Sequence, residues 1–95
     1  MPPGQRKVES LRLRPVDPYA FDSRGLAYLR LGRIDDAVRD FNAALKIESK
    51  LVSSLYGRGL AKLGRGDAQG GNADVAAAKA IRSAIADELA RYGIR

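Results

Sequence analysis

Cysteine and histidine are both absent from this 95-residue sequence. Without cysteine there is no disulfide scaffold, thiolate zinc site, iron–sulfur cluster or cysteine nucleophile. Without histidine the commonest general base near neutral pH, which is also the commonest metal ligand, is missing. No run approaches the roughly 20 apolar residues that span a bilayer. Met1 to Arg14 carries no apolar core, so it does not read as a secretory signal. The period-two alternation of a half-buried strand occurs nowhere. The length excludes a Rossmann fold, a TIM barrel or a two-domain enzyme, and leaves one small domain. These absences predict a cytoplasmic, cofactor-free chain with no membrane contact.

Hydrophobic residues make up 45% of the chain, enough for a core. Seventeen Lys and Arg against eleven Asp and Glu give a net charge of +6, which permits acidic partners without naming one. Met1-Pro2-Pro3-Gly4 is a weak start to any fold.

The sequence repeats with a period of 34. Arg24-Gly25-Leu26-Ala27 recurs as Arg58-Gly59-Leu60-Ala61. At the same shift Leu29 meets Leu63, Gly32 meets Gly66, Ile47 meets Ile81 and Ser49 meets Ser83. Shifting back places Pro15 opposite Ser49 and Leu13 opposite Ile47. Shifting forward places Leu89 opposite Leu55 and Gly93 opposite Gly59.

Each unit reads as two helices. Asp17-Pro18 opens the first, with Asp as N-cap and Pro where no amide donor is needed. Gly32 stops it. The second begins near Asp35, where two carboxylates suit the helix dipole. Ile34, Ala37, Val38, Phe41, Ala44, Leu45 and Ile47 define its apolar stripe. Asp35–Arg39 is an i,i+4 pair on its outer side. In the second unit Val52 to Leu63 forms a helix, and Asp67 caps another that runs to Ile81. Gly70 and Gly71 weaken that helix by about 1 kcal/mol each. Ser83 is expected to cap a last helix through Tyr92, with an Asp87–Arg91 pair. Arg6 to Leu13 is expected to form a short helix ended by Pro15.

A helix–turn–helix period of 34 with these anchors resembles the tetratricopeptide repeat (TPR) family. In the first unit Phe21, Arg24-Gly25, Tyr28, Ala37, Phe41 and Ala44 take the family's places, with Ser49 where Pro is preferred. In the second, Leu55, Arg58-Gly59, Gly71, Val75, Ala78 and Ser83 do so, and Lys62 replaces the Tyr. The first unit matches most anchors, and the second departs at three. Gly25, Gly59, Ala37, Gly71, Ala44 and Ala78 are small where helices must approach. Phe41 and Tyr28 are expected to fill the space between neighbouring helix pairs.

The resemblance implies an all-α fold of antiparallel helix–turn–helix repeats stacked as a short right-handed α-solenoid. It divides the chain into a partial repeat helix at 1–17, repeats at 18–51 and 52–83, and a capping helix at 84–95. Starting mid-unit suggests a piece of a longer ancestral array. The resemblance implies a protein–protein interaction module that binds a peptide or protein segment on its concave face. Carried over by position, that face holds Tyr19, Asp22, Leu26, Arg30, Ser53, Tyr56 and Leu60, then Asp87 and Ala90. Tyrosines suit peptide contact, and Arg30 and Asp22 could pair with peptide charges. The family's clamp for chaperone C-terminal carboxylates is not met. Asp22, Leu26, Gly57 and Asp87 stand in its Lys and Asn places, and only Arg91 fits. The exposed end helices leave an apolar edge that could pair weakly with a second copy.

Two other classes compete. Arg30, Arg33 and Arg65 near the turns, with Arg6, Lys7, Arg12 and Arg14, could track phosphates. Interleaved acidic residues weaken that stripe, so nucleic acid is the lesser alternative. Asp35, Asp36 and Asp40 form the densest acidic group, with Asp36 and Asp40 on one helix face. Acid/base chemistry would need them in a buried cleft, and their Arg neighbours favour a solvated face instead. Gly64-Arg65-Gly66-Asp67 lacks the Lys-Ser/Thr of a phosphate loop and reads as a turn. No catalytic residue is assigned.

Overall fold

A computed structural model describes residues 17–94. The helix expected over Arg6–Leu13 and the basic cluster around it lie outside these residues. The described residues hold five helices and no strand, with 77% of them helical. They are α1 (Pro18–Arg30), α2 (Ile34–Ile47), α3 (Val52–Gly64), α4 (Ala68–Ile81) and α5 (Ile85–Ala90). None is long and apolar enough to cross a membrane.

Local chemistry sets most of the ends. Asp17 Oδ1 accepts the Tyr19 amide at 2.9 Å, with Pro18 in the first turn. Asp67 Oδ1 accepts the Gly70 amide at 2.9 Å, which caps α4 as expected. Gly32 and Gly66 close the hairpins with φ of 77° and 90°, in the left-handed region that glycine tolerates best. Arg33 N–H then reaches the Tyr28 carbonyl at 2.9 Å, and Asp67 N–H reaches Lys62 at 2.8 Å. These bonds satisfy carbonyls that the helix ends leave free.

One geometry recurs in both hairpins. Arg24 donates twice to Asp40, at 2.7 and 2.8 Å. Arg58 donates twice to Asp74, at 2.7 and 3.0 Å. Each pair is centred in sequence on its turn glycine, Gly32 or Gly66. Residues equally far from a tight turn meet only when the two helices run antiparallel. Both clasps therefore sit at the same height in antiparallel pairs, 34 residues apart. The Asp40 side chain is only 5% exposed, so without Arg24 it would be a buried, unpaired charge.

The pairs are joined by apolar packing and two polar links. Phe41 is fully buried between Gly25 of α1 and Gly57 of α3. Asp22 of α1 accepts the hydroxyls of Ser54 at 2.6 Å and Ser53 at 2.8 Å. Arg58 also donates to Asn42 Oδ1 at 2.9 Å, tying α3 to α2. The small residues Gly25, Ala37, Ala44, Gly59, Gly71 and Ala78 are all buried where helices meet.

In the second pair the backbones of Gly59 and Gly71 lie against each other. Tyr28 is half-buried, with the guanidinium of Arg33 5.0 Å from its ring centroid. Its counterpart Lys62 instead reaches Asp74 at 3.0 Å. Ile47 ends the stripe of α2 in solvent rather than in the core. Arg39 pairs with Asp36 at 3.2 Å, while Asp35 pairs with Arg65 at 3.4 Å. The last helix starts at Ile85 without a side-chain cap and ends at Ala90. Its ion pair is Arg82–Glu88 at 2.9 Å, not Asp87–Arg91.

The Asp74 clasp makes stability depend on pH. Burial pushes the Asp74 carboxyl up, but hydrogen bonds from Arg58 and Lys62 outweigh it and hold it below the usual carboxylate range. A depressed folded pKa adds stability above the unfolded value of about 3.9, and that gain fades as pH falls through the folded pKa. Asp74→Asn should cost about 2 kcal/mol at pH 7. Urea denaturation of parent and variant should show the gap constant down to about pH 5 and shrinking below about pH 4. A gap unchanged at pH 3 would disprove the titration of this carboxylate.

Candidate functional site

The candidate partner-binding residues that the resemblance implies lie on α1 and α3, and the structure brings those two helices side by side. Leu26 and Leu60 lie half-buried on the shared apolar cluster, with Leu29 beside them. Tyr56 belongs to that cluster and is only 8% exposed. Its ring is core rather than a presented contact.

Asp22 is also 8% exposed, and Ser53 and Ser54 occupy its carboxylate. The carboxylate therefore ties α1 to α3 instead of facing a peptide charge. Ser53 is half-buried and serves as its donor.

Tyr19 and Arg30 differ from these. Tyr19 is 63% exposed and borders a cleft with Ser53, Arg82, Glu88 and Tyr92. Arg30 is exposed at the other end of α1 and takes no part in the ion pairs among the described residues. Leu29, Ile34 and Leu60 line a cleft beside it.

Burial of Tyr56 follows from what lies over the face. Ile85 and Leu89 of α5 join its cluster, and so does Ile94 beyond the helix. Asp87 is on the exposed side of α5, and Ala90 is half-buried. Gly93 has φ of 82° and ends the helix. The Ile94 amide reaches the Leu89 carbonyl at 3.0 Å, and the Gly93 amide reaches Ala90 at 3.0 Å. This is the glycine stop in which aliphatic residues flank the turn and touch. It turns Ile94, 2% exposed, inward beside Arg30, Leu26 and Leu60. Gly93 therefore differs from its counterpart Gly59, which lies within α3.

The acidic group of α2 is split among separate partners. Asp36 takes Arg33 at 2.7 Å, Asp35 takes Arg65, and Asp40 takes Arg24. Among the described residues no cluster of three or more Asp, Glu, His or Cys side chains is placed to hold a metal ion. Of the turn arginines proposed to track phosphates, Arg33 and Arg65 are thus already paired. Comparison of the chain with protein-family models, curated proteins and solved structures returns no match.

Proposed function

We propose that this chain is a small TPR-type interaction module that holds a peptide or protein segment on the face made by α1 and α3. The observation that carries this reading is the doubled hairpin. Two antiparallel pairs stand 34 residues apart with matching clasps, and their first helices share one apolar face. A short right-handed stack of repeats is the arrangement in which such pairs leave their first helices on a common concave side. Phe41, wedged between Gly25 and Gly57, fixes the offset of one pair on the next. Tyr19 and Arg30 offer a flat ring and a free guanidinium at opposite ends of α1, the residue types that anchor protein contacts.

An affinity capture from the source lysate tests this, with and without nuclease, at two salt concentrations. A discrete protein that survives both is the expected result. Recovery of nucleic acid alone, lost at the higher salt, would transfer the function to the +6 charge. For a captured partner, Tyr19→Ala with Arg30→Ala should weaken binding about tenfold, about 1.4 kcal/mol. Its melting temperature should match the parent's, because neither side chain is buried. Unchanged affinity would remove both residues from the contact.

A further inference from the structure

The α1–α3 face already holds a helix, and that helix belongs to the same chain. Helix α5 has six residues where α1 and α3 have thirteen. Gly93 cuts it short and swings Ile94 back across α3 toward Arg30 of α1. The contact is made by Ile85, Leu89 and Ile94, on a face made by Leu26, Tyr56 and Leu60. The rest of the molecule is joined differently. α1–α2, α3–α4 and α1–α3 each carry charged or hydroxyl hydrogen bonds. Among the described residues no hydrogen bond joins residues 85–94 to α1 or α3. The segment's one ion pair to the preceding turn, Arg82–Glu88, is exposed. Open clefts also flank the segment on both sides.

From this we infer that the face recognises a short amphipathic helix with aliphatic residues at positions i and i+4, ended by a glycine turn that folds a third aliphatic residue back beside them. Residues 85–94 hold that place in the unbound chain, and a partner helix enters by displacing them. This inference rests on the interaction-module reading. Apolar anchors at helical spacing are how a groove reads a helix. A segment held by apolar contact alone can leave without stranding a buried polar group. Its tether gives it an effective concentration on the order of millimolar, so a competing helix must overcome that advantage. A partner helix would also find the Arg30 guanidinium available to donate to a carboxylate, which the resident segment does not supply among the described residues.

The test uses the full chain and a full-length Leu89→Asp/Ile94→Asp variant. The probe is a fluorescein-labelled peptide with the sequence of residues 83–95, beside a scrambled control. The expected result is saturable binding to the folded variant and at least tenfold weaker binding to the parent. The scrambled peptide should bind neither. Equal binding to parent and variant, or none to a folded variant, would overturn the proposal. If the variant does not fold, native-state hydrogen exchange of the parent decides. Residues 88–94 should then exchange at least a hundredfold faster than the core of α3, through local opening. Exchange of both in one global step would overturn the proposal. A captured partner that binds parent and variant equally would leave the module reading standing and remove only the displaced helix.

Discussion

Phe41→Ala should destabilise the protein by about 4 kcal/mol, a large part of what a domain this small has. The ring is fully buried, and among the described residues no other side chain lies closest to glycines of both helix pairs. A Cβ on Gly25 would come within 2.7 Å of it, and a Cβ on Gly57 within 2.5 Å. Truncation therefore empties space that the backbones of α1 and α3 cannot refill without sliding. The same geometry predicts coupling. Gly57→Ala should cost at least 1 kcal/mol in the parent, because its methyl overlaps the ring. In the Phe41→Ala background that methyl enters vacated space and should cost nothing. Urea denaturation of the four proteins gives the cycle. Additive effects would mean that Phe41 does not seat the second pair on the first.

Much of this core was legible in the sequence. The resemblance put an aromatic, Phe41, on the second helix and a small residue, Gly25, on the first, and the structure packs the one against the other. Gly57 was not legible, because its contact is with Phe41 sixteen residues earlier and its neighbours carry no distinguishing pattern. The two clasps were present in the residues themselves. Arg24 recurs as Arg58 and Asp40 as Asp74 at the shift of 34. Asp40 instead stands close to Asp35 and Asp36 in sequence. Helix rotation separates them, since Asp40 faces α1 while Asp35 faces solvent. Equal distance from a turn glycine is the signal that would have paired them.

The exposure of the candidate residues was not legible in the sequence. The resemblance put Leu26, Tyr56 and Leu60 on one face, and the three lie in or against one apolar cluster. It could not say that Tyr56 and Asp22 would be covered, because cover depends on where α5 stops. The repeat grid aligned Gly93 with Gly59 and so extended the last helix. Local chemistry overrides the grid there. Leu89 and Ile94 bracket Gly93 with the aliphatic pair that a glycine helix stop prefers. Asp22 met Ser53 and Ser54 for a similar reason. Satisfying a buried carboxylate outweighs keeping it free for a ligand.

Gly59→Val should lower stability by about 3 kcal/mol, or about 12–24 °C in melting temperature for a domain of this size. A Cβ at Gly59 would stand 2.9 Å from the Gly71 carbonyl oxygen, 3.0 Å from the Val75 amide nitrogen and 2.7 Å from Val75 Cγ2. Two of these are backbone atoms of α4, so no rotamer change relieves the overlap. The helices must part instead. Arg58 is the adjacent residue, so parting them also stretches its bonds to Asp74. Damage at Gly59 should therefore spread to the clasp and flatten the pH dependence that Asp74 gives the parent. Gly64 supplies the control within the same helix. A Cβ there meets only Ile34 Cδ1, at an ordinary 3.6 Å. Gly64→Ala should thus be neutral or slightly stabilising, through the helix preference for alanine. Calorimetry on the two variants separates close approach from propensity. Similar melting temperatures would mean that α3 and α4 do not meet at Gly59, and the second hairpin would have to be packed differently.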